Sequence, residues 1–253
     1  MESINTLLIS QARTGSTRLP NKVLLKINGD ELLKIHVDRV KDCKLVDKIM
    51  VATTVAPEDD VIISLCNQWD VSTSRGSVDD VLDRFYQAAK NINPKWVVRI
   101  TSDCPLLDPA LIDAVIALAQ VNDVDYCSNI LVENFPDGQD VEVFKFEALK
   151  KAWTEAKLKS EREHVTPFIR TNSSHNGGNL FSSINFPCAY DFSKIRMTVD
   201  ELVDFELINK VVTNLGVKQN WLTYTNYIIE NQLTSINADI IRNEGMLKSL
   251  KND

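Results

Sequence analysis

The chain has 253 residues, with 28 Lys and Arg against 35 Asp and Glu, which gives a net charge of −7. This acidic average argues against general nucleic-acid binding, which needs a basic field, although a local basic cluster can still bind a small anion. Hydrophobic residues make up 44% and charged residues 25% of the chain. These values are typical of globular proteins and exclude a wholly disordered chain.

Cysteine usage and hydropathy indicate the compartment. The five cysteines are odd in number, widely spaced and contain no Cys-x-x-Cys pair. This pattern favours reduced thiols over a disulfide framework or a zinc site. No segment approaches the about 20 apolar residues of a membrane-spanning helix, and the first residues lack the basic start of a signal peptide. We therefore expect a cytoplasmic protein that binds neither nucleic acid nor membrane.

Short apolar segments alternate with amphipathic ones in the first half of the chain. Strands are predicted at residues 6–11, 48–53, 71–74, 96–101 and 125–128. Helices are predicted at residues 30–43, 58–69, 78–89 and 109–120, the last one capped by Asp108. The alternation predicts right-handed βαβ units in an α/β fold with a mainly parallel sheet, whose ligands bind at the carboxyl ends of the strands.

The pattern changes after residue 128. Strands are predicted at residues 141–146, 180–184 and 195–199. Helices are predicted at residues 147–159, 162–171 with an interruption near Pro167, 200–214, 221–232 and 237–250. We interpret residues 1–253 as a single domain in which about residues 129–190 supply the acceptor side of a site and residues 234–250 form a C-terminal helical segment.

A cationic loop follows the first predicted strand. Residues 11–22 contain Arg13, Arg18 and Lys22, separated by one glycine and small hydroxyl residues. The backbone N–H groups of such a loop can surround an anion while the cations supply charge, which suits a triphosphate. The loop matches neither the P-loop nor the dinucleotide-binding pattern. The alternative is a solvated basic turn.

Two carboxylates follow predicted strands elsewhere in the chain. Asp103 comes after the strand at 96–101, and Asp200 comes after the strand at 195–199. Together with the cationic loop they predict a site for Mg²⁺, which prefers carboxylate and phosphate oxygens. The alternatives are that Asp103 is an ordinary turn or capping residue and that Asp200 only caps the following helix.

Two further segments carry polar residues that allow more than one interpretation. Asp140 and Glu142 alternate on one face of a predicted strand, where they could bind an acceptor, assist a metal or simply form a polar solvent face. Residues 73–84 place Gly76 directly after a strand, where backbone groups could contact a nucleotide base. An N-capped start of an amphipathic helix explains that segment equally well.

The segment at residues 160–167 combines a helix signal with polar side chains. Ser160 and Glu163 have the spacing of a capping box. Arg162 lies between them, His164 directly follows Glu163, and both side chains could face the site. The spacing is not that of a zinc protease, and the other two histidines of the chain have no partner pattern.

Taken together, these segments resemble the cytidylyltransferase-like family named for spore coat polysaccharide biosynthesis, which is related to CMP-sialic acid and CMP-Kdo synthetases. The resemblance covers about residues 9–208 in the order of the family. The matching segments are QARTGSTRLPNK, RGSVDDVLDRF, RITSDCPLLDP, DGQDVEVF, EREHVTPFI and RMTVDELVDFELI.

The resemblance implies a Rossmann-like sheet of the nucleotide-diphospho-sugar-transferase (GT-A-like) type and a homodimer formed through a small subregion. It implies Mg²⁺-dependent transfer of CMP from CTP to an acidic sugar or phosphorylated acceptor, with release of pyrophosphate. From the residues and the resemblance together, we predict catalytic roles for Arg13, Lys22, Asp103 and Asp200, the last two as metal ligands. The predicted nucleotide contacts are Gln11, Ala12, Arg13, Gly15, Ser16, Thr17, Arg18, Lys22, Thr53, Arg75, Gly76, Ser77 and Asp103. The predicted acceptor contacts are Asp140, Glu142, Arg162 and His164.

Two other activities stay open at this point. A glycosyltransferase that uses a nucleotide-sugar donor would share the fold and the metal, and it usually carries an Asp-x-Asp pair at a strand end. Asp123-Val-Asp125 has that spacing but precedes its predicted strand. A non-catalytic nucleotide-binding protein is the other alternative. The acceptor is not identified by the resemblance. No obvious general base stands out, and the candidates are Asp140, Glu142 or an acceptor oxygen bound to the metal.

Overall fold

The computed structural model describes residues 4–253. Its strands are β1 Thr6–Gln11, β2 Lys26–Ile27, β3 Asp30–Glu31, β4 Lys48–Thr54, β5 Ser72–Gly76, β6 Trp96–Thr101, β7 Tyr126–Ser128, β8 Glu142–Lys145 and β9 Ser183–Asn185. Within the described residues, seven of these strands form one sheet in the order β5-β4-β1-β6-β8-β7-β9, and β2 pairs with β3 separately.

The helices cover both faces of this sheet. They are α1 Leu32–Val40, α2 Asp60–Gln68, α3 Val81–Lys90, α4 Pro109–Asn122, α5 Phe146–Glu155, α6 Lys159–His164, α7 Pro167–Thr171, α8 Leu202–Leu215, α9 Trp221–Glu230 and α10 Glu244–Leu250. The predicted cap of α4 is confirmed, because the Asp108 carboxylate accepts a hydrogen bond from the N–H of Ala110 at 2.8 Å. In the described part of the chain, none of the helices has the length and apolar content needed to span a bilayer.

The predicted parallel α/β sheet is confirmed in its first half. Strand β1 pairs in parallel with β4 and β6, and β4 pairs in parallel with β5. Strand β8 is antiparallel to β6 and β7, and β9 is parallel to β7. The carboxyl ends of β1, β4, β5 and β6 therefore meet at one edge of the sheet, which also carries the cationic loop.

Alternate residues of the strands form two cores. Leu7 and Ile9 of β1 pack with Phe85 of α3 on one face, whereas Leu8 packs with Ile112 of α4 on the other face. Burial of each such side chain stabilises the fold by about 1.5–3 kcal/mol. The two layers fix the strands rigidly, so the edge that carries the loop has a defined shape.

The predicted strand at residues 195–199 is wrong. The segment is extended, but its only ladder contact within the described residues is a single bridge between Asp137 and Arg196. Its backbone instead bonds to loops, with the N–H of Met197 donating to the carbonyl of Asp137 at 2.7 Å and that of Val199 to Asp103 at 2.8 Å. Alternate residues are buried against α8 and α9, which explains why the segment has the hydropathy of a strand.

Two predicted helix starts are also wrong. The helix expected at residues 237–250 begins only at Glu244, because Asn237 is buried and donates its side-chain amide to Asp204 at 2.8 Å. The expected capping box at Ser160 does not form, because α6 begins at Lys159 and its N-cap is Leu158. Glu161 accepts the backbone N–H of Leu158 there at 3.0 Å.

Gly138 brings two loops of the site edge together. Its φ of +103° is unfavourable for other residues, and a Cβ atom at this position would lie 2.7 Å from the carbonyl carbon of Met197 and from the backbone nitrogen of Thr198. Only glycine permits this close approach. Gly177 also has a positive φ of +79°, but a Cβ atom there would meet nothing within 4 Å.

We expect Gly138→Ala to lower the free energy of unfolding substantially more than Gly177→Ala. A strained backbone costs about 1–3 kcal/mol at either position, and overpacking against a neighbouring backbone adds about 1–3 kcal/mol at position 138 alone. Urea unfolding of both variants measures the difference. Equal losses in the two variants would contradict the close approach at Gly138.

Candidate active site

A buried carboxylate anchors the cationic loop. Asp59 is 1% exposed, and one of its oxygens accepts hydrogen bonds from the backbone N–H and the hydroxyl of Thr14, both at 2.7 Å. The other oxygen accepts from the backbone N–H and the hydroxyl of Thr54. Burial disfavours the charge, but these four hydrogen bonds outweigh it and lower the pKa of Asp59. Asp59 thus ties the loop after β1 to the end of β4.

The predicted nucleotide-binding residues of the loop differ in accessibility. Ala12 is buried in the core that α1 and α2 cover, whereas Arg13, Gly15 and Thr17 are exposed. The hydroxyl of Ser16 accepts a hydrogen bond from the N–H of Leu19 at 3.4 Å. The side chains of Arg18 and Lys22 turn toward the sheet edge, so the loop offers cations on both its outer and its inner side.

Lys22 joins the two predicted metal ligands. Its ammonium donates to Asp103 at 2.8 Å and to Asp200 at 2.7 Å. Burial disfavours the charged ammonium, but the two carboxylates outweigh it and raise the pKa of Lys22. Burial likewise disfavours the charge of Asp103, and Lys22 holds the pKa of that carboxyl well below its usual range. Carboxylates 97 residues apart in the sequence therefore converge on one cation.

Two arginines complete the surroundings of Asp200. Arg18 lies 3.0 Å from one carboxylate oxygen of Asp200, and Arg196 lies 2.8 Å from the other. Arg196 also pairs with Asp137 and, at 2.9 Å, with Asp204. These contacts orient the Asp200 carboxylate toward Lys22.

The alternative interpretation of Asp200 as a helix cap is wrong. The carboxylate of Asp204 reaches back and accepts the backbone N–H groups of Asp200 at 2.9 Å and Glu201 at 3.0 Å. Asp204 therefore caps α8 and leaves the Asp200 carboxylate for the cations. Asp204 and Asp59 were not among the predicted site residues, although each stands at a helix start, where carboxylates commonly accept backbone N–H groups.

The carboxylates of Asp103 and Asp200 fit a divalent cation. Both contact the same Lys22 nitrogen, and Mg²⁺ commonly takes one or two carboxylates together with phosphate oxygens and water. Residues 4–253 contain no group of three or more His, Cys, Asp or Glu side chains arranged to bind a metal. A metal held by these two residues would therefore depend on phosphate oxygens to complete its coordination.

Asp140 and Glu142 have different environments and do not share a strand face, because β8 begins only at Glu142. Glu142 accepts a hydrogen bond from Tyr126 at 2.6 Å and pairs with Arg99. Burial disfavours its charge, but Arg99 outweighs it and lowers the pKa of Glu142. Burial raises the pKa of Asp140 to about 7, even though Arg242 lies 2.8 Å away. Of these two carboxyl groups, only Asp140 has a pKa raised above its ordinary value.

The C-terminal segment, defined as residues 237–253, crosses the site. Besides Arg242, it contributes Glu244, which lies 3.4 Å from Arg18, and Ser249, which lies 3.3 Å from Nε2 of His164. Burial and the positive charge of Arg99 lower the pKa of His164. His164, a predicted acceptor contact, thus lies close to the charged groups of the site and contacts the C-terminal segment. The sequence of that segment showed no motif.

Arg162 is used within the fold rather than left for an acceptor. Its Nε donates to the carboxylate of Asp80 at 2.9 Å, and its Nη1 donates to the carbonyl of Trp153 at 2.7 Å. Asp80 is the N-cap of α3. The expectation that Arg162 faces the acceptor is therefore not met, because its guanidinium joins α6 to α3.

Other predicted nucleotide contacts, among them the segment predicted to contact the base, surround the end of β5. Arg75 donates to the carbonyl of Thr54 at 2.9 Å and pairs with Asp60 at 2.7 Å. The hydroxyl of Ser77 accepts the N–H of Asp80 at 3.0 Å. Thr53 is fully buried on the face covered by α1 and α2, and its hydroxyl has no partner among the described residues. The Thr53 side chain therefore does not point to the same side as the loop anchor at Thr54.

The arrangement of cations and carboxylates at a parallel sheet edge is accompanied by a family match. The family model for cytidylyltransferases matches residues 7–231. The chain belongs to the cytidylyltransferase family. A cytidylyltransferase of this kind is a CTP-dependent nucleotidyltransferase, and the resemblance drawn from the sequence motifs is confirmed.

Several proteins are similar to this chain over most of their length. An uncharacterized protein of Methanocaldococcus jannaschii is 41% identical over 92% of this chain and 94% of its own. The spore coat polysaccharide biosynthesis protein SpsF of Bacillus subtilis is 32% identical over 83% of this chain and 87% of its own. The solved structure of a cytidylyltransferase from Leptospira borgpetersenii superimposes with a TM-score of 0.84 at 29% identity, covering 95% and 99% of the two chains.

We expect Asp59→Asn in this cytidylyltransferase to destabilise the loop and raise the KM for CTP. An amide cannot accept from four donors as a carboxylate does, and a hydrogen bond to a charged group is worth about 1.5–3 kcal/mol. The matched control is Asp60→Asn, which removes only an exposed ion pair with Arg75. Urea unfolding and CTP kinetics measure both effects. Equal behaviour of the two variants would contradict the conclusion that Asp59 anchors the cationic loop.

The pH dependence of stability offers a second measure of the same anchor. Because the folded pKa of Asp59 is lowered, its contribution is fully present above the ordinary value of 3.8 and is lost as the pH falls through the folded pKa. The difference in unfolding free energy between wild type and Asp59→Asn should therefore be large at pH 7 and should shrink below about pH 4. A difference that is independent of pH would show that the carboxylate charge is not involved.

Proposed function

We propose that this cytidylyltransferase transfers CMP from CTP to a small anionic acceptor, an acidic sugar or a phosphorylated compound, and releases pyrophosphate. The observation that carries the proposal is the convergence of Asp103 and Asp200 on Lys22, beside a loop that adds Arg13 and Arg18. We further propose a role in surface polysaccharide or glycan synthesis, which the name of the Bacillus relative supports.

The geometry does not support a nucleotide-sugar donor bound through Asp123-Val-Asp125. Asp123 ends α4 and pairs with Lys95 at 3.1 Å. Asp125 accepts the hydroxyl of Ser182 at 2.8 Å. Both aspartates precede β7, which runs in the same direction as β6, so they lie at the opposite edge of the sheet from the cationic loop.

In the proposed reaction the acceptor oxygen attacks the α-phosphorus of CTP in line, and pyrophosphate leaves. Arg13, Ser16, Arg18 and Lys22 would bind the triphosphate, and the cations would neutralise charge that develops on the leaving group. Lys22 uses two of its three N–H donors on carboxylates, which leaves one donor for a phosphate oxygen. A Mg²⁺ ion held by Asp103 and Asp200 would supply further charge neutralisation at the phosphates.

Asp140 is the proposed general base for an acceptor that attacks through a hydroxyl group. A general base works best when its pKa lies near the operating pH, and burial brings the pKa of Asp140 to about 7. Glu142 was the other candidate, but its charge is committed to Arg99 and its pKa is lowered. The proton of the acceptor hydroxyl would therefore pass to the Asp140 carboxylate.

We also propose that the enzyme is a cytoplasmic homodimer in which residues 1–253 form one domain and residues 129–190 supply acceptor and dimer contacts. The five free thiols support a reducing compartment, and the family resemblance implies the dimer. Sedimentation equilibrium at several protein concentrations tests the assembly. A monomer at all concentrations would overturn it.

The test of the proposed function is turnover of CTP across a panel of acidic sugars and phosphorylated sugars or polyols, followed by pyrophosphate release. We expect release that requires both Mg²⁺ and one class of acceptor, and lower rates with UTP, ATP and GTP. Nucleoside diphosphate release from a nucleotide sugar would favour a glycosyltransferase. Binding of CTP without turnover on any acceptor would favour a non-catalytic role.

We expect Asp103→Asn and Asp200→Asn each to lower kcat by at least about 10²-fold, as loss of other charge-stabilising groups does. The double variant should be little worse than either single variant, because the two carboxylates act as a unit. Asp239→Asn, an exposed carboxylate on the C-terminal segment, is the control. Near wild-type turnover of Asp200→Asn with an unchanged Mg²⁺ requirement would contradict the shared site.

The proposed base predicts a specific pH profile. In wild type, kcat/KM should rise with pH through an apparent pKa near 7, as Asp140 loses its proton. Asp140→Asn should lose about 10²- to 10⁴-fold in rate and the acidic limb of the profile. Arg242→Gln should move that limb to higher pH, because a cation that favours the carboxylate is removed.

Lys248→Gln is the control for this profile. Lys248 belongs to the same C-terminal segment but pairs with Glu244 at 2.7 Å and not with Asp140. It should leave the acidic limb in place. A limb that survives in Asp140→Asn would assign the general base to another group.

A further inference from the structure

Arg84 is a buried cation whose hydrogen-bonding capacity is unused. The residue belongs to α3 and is 2% exposed. Its Nε and Nη1 atoms are buried without a hydrogen-bond partner among residues 4–253. Burial of a charged group without partners costs several kcal/mol. Such a group in a folded protein calls for a ligand that the protein itself does not supply.

Two other buried arginines, Arg39 and Arg196, are satisfied by the fold, whereas Arg99 and Arg242 each have one buried Nε without a partner but form an ion pair with a carboxylate. Arg39 donates to the carbonyl of Leu107 at 2.9 Å and to that of Gln219 at 3.0 Å. Arg196 pairs with three carboxylates, as described above. A purely structural role for Arg84 would predict contacts of this kind, and its two buried nitrogens have none within the described residues.

The direction of the side chain places Arg84 at the site. Helical side chains lean toward the helix N-terminus, and α3 begins at the sheet edge that carries the loop, shortly after β5. The stem of Arg84 runs against Gly76, where a Cβ atom would lie 3.1 Å from Cβ and Cγ of Arg84. Glycine at the end of β5 thus leaves room for the arginine stem to reach the edge.

The charges around the guanidinium point to an anion. Burial and repulsion by Arg13 lower the pKa of Arg84 to about 10, so it is cationic at neutral pH. Asp59 attracts it, but both carboxylate oxygens of Asp59 are taken by Thr14 and Thr54. Within residues 4–253, neither Arg13 nor Arg84 forms an ion pair with a carboxylate, so two neighbouring guanidinium groups are left uncompensated.

We propose that Arg84 is a nucleotide-binding residue that donates from its buried guanidinium to a phosphate oxygen, beside Arg13 and beneath the cationic loop. The inference rests on the proposed function, because it takes the nucleotide as the source of the phosphate. A guanidinium and a phosphate form the strongest class of hydrogen bond available here. A contact to the cytosine base is the competing assignment and is an outcome of the test.

The test measures the dissociation constants of CTP, UTP and pyrophosphate by calorimetry for wild type, Arg84→Met and Arg84→Lys. Met keeps an apolar stem and removes the charge. We expect Arg84→Met to weaken all three ligands by about 10- to 150-fold, as loss of a charge-assisted hydrogen bond does, with Arg84→Lys in between. The ratio of the CTP affinity to the UTP affinity should be the same in Arg84→Met as in wild type. Lys95→Met, which removes an exposed cation at the opposite edge of the sheet, should change none of the three.

The melting temperature of the ligand-free protein separates binding from folding. We expect Arg84→Met to melt at or above the wild-type temperature, because an unpartnered buried charge is removed. Unchanged affinity for all three ligands would overturn the proposal, and so would a loss confined to CTP, which would assign Arg84 to the base. Wild-type protein that binds pyrophosphate through Arg84 but does not prefer CTP would refute the proposed function and leave the anion site standing.

Discussion

The bridge from Lys22 to Asp103 and Asp200 is the interaction on which the site depends. It brings together a loop after β1, a turn after β6 and the segment before α8, which are separated by most of the chain. An isolated charge at this depth would be strongly destabilising, and only the mutual pairing makes the burial acceptable. Arg196 pairs with the other oxygen of Asp200 and so orients its carboxylate. The ion pairs therefore both fix the positions of these segments and balance the charges of the site.

The cations of this edge fall into two groups. Arg18, Lys22 and Arg242 already contact carboxylates of the protein, whereas Arg13 and Arg84 have no carboxylate partner among the described residues. In the proposed complex, phosphates of a nucleotide would compete with carboxylates for the first group but not for the second group. An anion would therefore interact most favourably with the unpaired guanidinium groups. Where it approaches the paired cations, their contacts with carboxylates would have to rearrange.

The features that could be predicted from the sequence are those that depend on a local pattern of residues. Alternating apolar segments identified the parallel sheet, and strand ends correctly placed Asp103 and Asp200 together. This worked even though residues 195–199 are not a strand, because alternate burial against α8 and α9 produces the same hydropathy. The roles of Asp59, Arg84 and Arg242 could not be predicted, since each depends on side chains that only the tertiary fold brings near. Arg84 stands out because its buried nitrogens have no hydrogen-bond partner among the described residues. A sequence pattern cannot show this.

The C-terminal segment links the two halves of the proposed chemistry. Glu244 lies at Arg18 on the triphosphate side, and Arg242 lies at Asp140 on the acceptor side. Arg242 opposes the effect of burial on the pKa of Asp140, so loss of the Arg242 guanidinium alone would raise that pKa. The proposed base therefore lies beside a segment that also contacts the cationic loop, so the proposed nucleotide binding and the proposed proton acceptance both involve residues 237–253.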